Sequence, residues 1–98
     1  MMTKYEIMFI VKATLEDDKI KSVTDELQKL INLKPSKVIE FKDMGKKKLA
    51  YPIKKELSGC YYVMTVEATH DTIKEFDRKV SINEDVLRHL IIKVEEGE

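Results

Sequence analysis

One cysteine, two histidines, three glycines and no tryptophan stand among 98 residues, and each scarcity closes off a class of chemistry. With Cys60 alone no intrachain disulfide can form, and one cysteine beside the separated His70 and His89 gives no His/Cys metal spacing. Gly45, Gly59 and Gly97 are too few and too scattered for a glycine-rich phosphate loop. No apolar run is long enough to span a bilayer and nothing resembles a secretory signal, so a cytoplasmic protein without membrane contact is expected. The acid pairs Asp17–Asp18, Glu84–Asp85 and Glu95–Glu96 fall at a helix start, a turn and a tail, where solvated charge explains them. His70, beside Asp71, reads as a surface residue at a helix start, and His89 as a partly buried residue on a sheet face. No catalytic constellation, metal site, cofactor or small-molecule substrate is expected.

Net charge is also missing: 18 basic residues balance 18 acidic ones, which at first argues against a nucleic-acid partner. The average conceals an asymmetry. Between Lys34 and Lys55 eight lysines face only Glu40 and Asp43, a local excess of six positive charges, so the other 76 residues carry six net negative ones. Such separation gives a one-sided field that can steer a polyanion to a neutral protein. The stretch D-M-G-K-K-K-L-A-Y-P-I-K-K, Asp43 to Lys55, concentrates it: Lys46, Lys47, Lys48, Lys54 and Lys55 flank the apolar island Leu49–Ile53. Lysine and proline also protect sheet edges, so a solvated edge strand is the plainer reading of the same residues.

At 43% hydrophobic and 37% charged residues, positions 1–98 read as a single domain with one core. Lys4–Lys12 alternates, with Tyr5, Ile7, Phe9 and Val11 on one face and Glu6, Met8 and Ile10 on the other, as a central strand does. Thr14 offers an N-cap, and Ile20, Val23, Leu27, Leu30 and Ile31 form the apolar stripe of a helix that Lys34-Pro35-Ser36 ends. Lys37–Ile53 has strand composition over 17 residues, too long to run uninterrupted, and Gly45 is the place for a bulge between arms Val38–Met44 and Lys46–Ile53. Pro52 confines this strand to an edge. Lys54–Gly59 reads as a turn and Cys60–Glu67 as a strand, with Tyr62, Met64 and Val66 opposite Tyr61, Val63 and Thr65. A second helix, capped by Asp71, carries Ile73, Phe76 and Val80; Ser81–Asp85 closes it, and Val86–Val94 is a last strand apolar on both sides. Glu95–Glu98 is an acidic tail.

The order strand, helix, strand, strand, helix, strand predicts an α+β split β-α-β fold: right-handed crossovers, a four-stranded antiparallel sheet in order 4-1-3-2, and both helices on one face. The expected core comprises Ile7, Phe9, Ile20, Val23, Leu27, Leu30, Tyr62, Met64, Val66, Ile73 and Phe76. The other face is left bare. Met8, Ile10, Tyr61 and Val63 lie on it and are the candidate partner-binding residues. The third strand lacks the basic-Gly-aromatic-Gly run of RNA-recognition motifs, although Tyr61 could still stack a base.

K-Y-E-I-M-F-I-V at 4–11, G-K-K-K-L-A-Y-P-I-K-K at 45–55, G-C-Y-Y-V at 59–63 and N-E-D-V-L-R-H-L-I-I-K at 83–93 together resemble the bacterial small-subunit ribosomal protein six family. The resemblance covers nearly the whole chain. It implies a ferredoxin-like fold, no catalysis, a place on the cytoplasmic ribosome, and assembly with ribosomal protein eighteen onto the central domain of small-subunit (16S) ribosomal RNA. Candidate RNA-binding residues are Lys46, Lys47, Lys48, Lys54 and Lys55, with Arg88 for a more specific contact to RNA or to a carboxylate such as Asp85.

The chain departs from the family pattern in three places. Leu33-Lys34-Pro35-Ser36 stands where relatives often have a glycine turn, Met44 where an aromatic is frequent, and the chain stops at Glu98 where many carry a longer charged extension. Two rivals share the fold. An acylphosphatase-like enzyme would need glycine and arginine in the loop after the first strand, where Lys12-Ala13-Thr14 supplies neither. A ligand-sensing or self-associating regulatory domain would need a pocket between strands and helices.

Overall fold

Alternation along Thr3–Lys12 produces β1, whose inward residues Ile7, Phe9 and Val11 are fully buried. The computed structural model describes residues 2–94, so the acidic tail at 95–98 lies outside the described residues. Helix α1 spans Asp17–Ile31, β2 Lys37–Ile53, β3 Glu56–Ala68, α2 His70–Ser81 and β4 Val86–Lys93. The sheet is antiparallel in order β2-β3-β1-β4, the order the sequence predicts.

Register assigns the faces. Ile7, Phe9 and Val11 stand opposite Met64, Tyr62 and Cys60 of β3, and Phe41 of β2 stands opposite Met64. These residues meet Val23, Leu27 and Ile31 of α1 and Ile73, Phe76 and Val80 of α2 in one core, so both helices cover one face. Phe9, Tyr62 and Phe41 form a row of rings across three strands, with neighbouring centroids 5.4 and 5.5 Å apart.

Several local expectations shift. Ile20 and Leu30 only flank the core, because Val23, Leu27 and Ile31, spaced by four, form the innermost line of α1. The N-cap of α1 is Glu16, without a side-chain cap bond; Thr14 instead donates to Glu56 Oε1 at 3.0 Å. The N-cap of α2 is Thr69, whose hydroxyl accepts from the Thr72 amide at 3.2 Å, which places Asp71 in the first turn. Buried Ser36 binds the same place, accepting from the Thr69 amide and donating to Thr72 Oγ1. The loop after α1 is thereby fastened to the start of α2.

The turn between β2 and β3 is two residues, not six. Lys54 and Lys55 carry φ of 51° and 69°, and Ile53 pairs directly with Glu56. Gly45 is the bulge expected: its φ is 86°, its amide donates to Asp43 Oδ1 at 2.8 Å, and the ladder shifts between Asp43 and Gly45. Further shifts follow Val38 and Lys48. Past Lys48 the strand bends over the uncovered face of the sheet. Leu49 is buried with Ile10 of β1 and Leu87 of β4, Ile53 packs on that cluster, and the Lys54 ammonium donates to the Val86 carbonyl at 3.2 Å. The far end of one edge strand therefore reaches the opposite edge.

Candidate nucleic-acid and partner interface

The face away from the helices divides into two halves. Pairing places Glu6, Met8 and Ile10 of β1 beside Thr65, Val63 and Tyr61 of β3 and beside Ile92, Leu90 and Arg88 of β4. Met8, Leu90 and Ile92 are 37%, 49% and 48% exposed, an unusual concentration of large apolar side chains on one surface. Ile10 was expected among them. It is only 7% exposed, because Leu49 and Leu87 close over it, and Gly59 lies so near that a β-carbon there would fall 2.3 Å from Ile10 Cγ2. Ile10 supports this surface from beneath. Leu90 and Ile92 join Met8 and Val63 on it. Apolar residues on both sides of β4 hid this, and only the pairing of Phe9 with His89 and of Met8 with Leu90 reveals which side faces out.

The lysine-rich hairpin forms the second half, and its cations do not share one side. Lys47, opposite Gly59, holds its ammonium 5.8 Å from the Tyr61 ring on the open face. Lys46, opposite Cys60, points to the helix side, where it and Lys55 line a shallow groove with Thr14 and Glu56. Lys48 stands one residue from Lys47 along the strand and so takes the opposite side. The positive charge thus wraps around the strand edge. Among the described residues none of the five lysines pairs with a carboxylate, so their charge is available to a polyanion.

Arg88 lies on the open face, and Nη1 donates to the Tyr51 hydroxyl oxygen at 2.8 Å. Asp85, one carboxylate considered for it, instead faces Lys19 at 3.8 Å. The neighbouring His89 points to the helix side, with Nε2 2.6 Å from Asp77 Oδ1 on α2. His70 is exposed at the start of α2. Burial pushes the half-exposed Cys60 thiol above its ordinary range, with Asp43 adding to the effect, which makes it a poor nucleophile. Among the described residues no group of three or more His, Cys, Asp or Glu side chains could hold a metal ion, and no helix is long and apolar enough to cross a membrane.

Residues 4–93 match the family described as Ribosomal protein S6. The chain belongs to the ribosomal protein S6 family. The small ribosomal subunit protein bS6 of Phytoplasma australiense is 40% identical over 92 residues, covering 94% of this chain and 99% of that one. The crystal structure of 30S ribosomal protein S6 from Thermotoga maritima superposes with a TM-score of 0.88 over 96% of this chain and 89% of that one; at 22% identity it speaks for the fold alone. Membership of the S6 family makes this a protein of the small ribosomal subunit, placed on the cytoplasmic ribosome, a structural constituent by family and not an enzyme.

Proposed function

We propose that this S6-family chain binds small-subunit (16S) ribosomal RNA together with ribosomal protein eighteen, the apolar half of its open face taking the protein and the cationic hairpin taking RNA. The observation that carries this is the adjacency of the two halves: exposed Met8, Leu90 and Ile92 lie on the sheet over which the lysine-rich strand end folds. Met8, Val63 and Tyr61 supply the partner contacts, and the chain's acidic remainder complements a basic partner. Lys46, Lys47, Lys48, Lys54 and Lys55 position phosphates without reading sequence. Because the whole chain is neutral, RNA affinity depends on the docked basic partner. The ligand-sensing alternative would use the open groove between α1 and the strands β2 and β3, lined by Ile20, Gln28, Phe41, Lys46, Cys60 and Tyr62, but family membership favours the ribosomal reading.

Salt titration of RNA binding by the two-protein complex tests this reading. Changing Lys46, Lys47 and Lys48 together to glutamine should flatten the log-log salt dependence by about 0.7 to 0.9 for each lost phosphate contact. Parallel slopes would reduce the hairpin to a protected edge. Val63→Glu should weaken partner binding while the fold survives; unchanged affinity would move the protein interface elsewhere.

A further inference from the structure

Tyr51 and Arg88 are 37 residues apart in sequence and meet where the bent end of β2 crosses to β4. The guanidinium carbon lies 5.7 Å from the Tyr51 ring centroid, and its Nη1–H donates to the phenol oxygen. Accepting that bond leaves the phenol O–H free to donate outward, and the bond to Nη1 leaves the guanidinium with further N–H donors. Tyr51 is 54% exposed, far more than a ring that merely fastened the strand end would need to be. A second cation-tyrosine pair lies on the same face, Lys47 over Tyr61. The pairs share a foundation. Tyr61 packs on the buried Ile10, Leu49 and Leu87 cluster, and Tyr51 lies between Leu49 and Ile53 on the strand that supplies it. Neither Arg88 nor Lys47 faces a carboxylate among the described residues.

We infer that Tyr51, Arg88 and Lys47, the last held over Tyr61, form a site for single-stranded RNA, in which an unpaired base stacks on the exposed Tyr51 ring and flanking phosphates meet Lys47 and Arg88. This rests on the RNA reading above and deepens it by naming the strand state and the side chains. Unpaired bases expose the π-faces that tyrosine needs, whereas a duplex hides them within its stack. The guanidinium, held in place by the Tyr51 oxygen, presents a planar fork that matches a phosphate, which lysine cannot copy. The site is therefore separate in kind from the lysine edge. Lysines alone would bind paired and unpaired RNA alike.

The test uses the complex with the protein partner, a labelled fragment of the small-subunit RNA central domain containing an unpaired segment, and a fully paired RNA of equal length. Tyr51→Leu should weaken binding to the fragment by about tenfold and leave binding to the paired RNA unchanged. Tyr51→Phe keeps the ring and should stay within about threefold. Arg88→Lys keeps the charge, and it should lower affinity while the salt slope stays constant. An ultraviolet cross-link from the fragment should map to the peptide carrying Tyr51. If Tyr51→Leu fails to fold, Arg88→Lys and the cross-link decide the matter alone. Wild-type affinity in both folded variants, without a Tyr51 cross-link, overturns the site; the RNA reading then survives if the triple lysine variant still flattens the salt slope. Failure of the wild-type complex to bind the fragment overturns both.

Discussion

Tyr62 stands in the middle of the aromatic row, and burial pushes its phenol up to about 12, with Cys60, Asp43 and Asp17 adding to the rise. The fold therefore favours the neutral phenol. Its contribution is fully present below pH 10, the ordinary value for the unfolded chain, and is lost as pH rises toward about 12. Chemical denaturation across that window should show stability falling, and Tyr62→Phe should remove that part of the fall; an equal fall in the variant would assign it to other groups. At this scale the sequence was informative about faces and poor at covers. Alternation placed Ile10 on the side away from the helices, and it is there. Its burial comes from Leu49 and Leu87, distant in sequence, which no local period can announce. The helix starts were misplaced for a similar reason: Thr14 and Asp71 are both sound capping residues, and only the path of the backbone gives the role to Glu16 and Thr69 instead.

Elements were more legible than their ends. The stripe of α1 and the alternation of β1 and β3 are strong periodic signals, and the bulge at Gly45 was demanded by strand length alone. The β2–β3 turn was drawn too long, through Gly59, because its two residues are lysines, whereas the usual signature of a turn with both φ positive is Asn-Gly or Asp-Gly. A left-handed conformation is costly for a residue with a β-carbon. Lys55→Gly should therefore raise stability by about 0.5 to 1 kcal/mol, part of the relief being lost to the greater freedom of glycine in the unfolded chain. Thermal denaturation measures it, and a lower melting temperature would mean that the Lys55 stem packs usefully along its groove. Lys54 is the poorer choice for this change, since its ammonium is bonded to the Val86 carbonyl.

Across the whole molecule the sheet order and the placement of both helices followed from element order and crossover handedness, whereas the division of the open face did not. That division depends on β2 reaching β4, a contact between the first and last strands of the sheet order. The same contact dictates when it can form. Leu49 needs Ile10 and Leu87 already side by side, and Tyr51 needs Arg88 already in register, so the strand end docks only after β1, β3 and β4 are aligned. Its interactions are therefore expected to form after the folding transition state. Leu49→Ala should cost about 2 to 4 kcal/mol and express that loss almost wholly as faster unfolding, with the refolding limb of the chevron unmoved. A slowed refolding limb would place the strand end in the nucleus. On the first account the surface assigned to RNA is the last part of the chain to become native and the first to open, so a bound strand would prolong the lifetime of the folded protein.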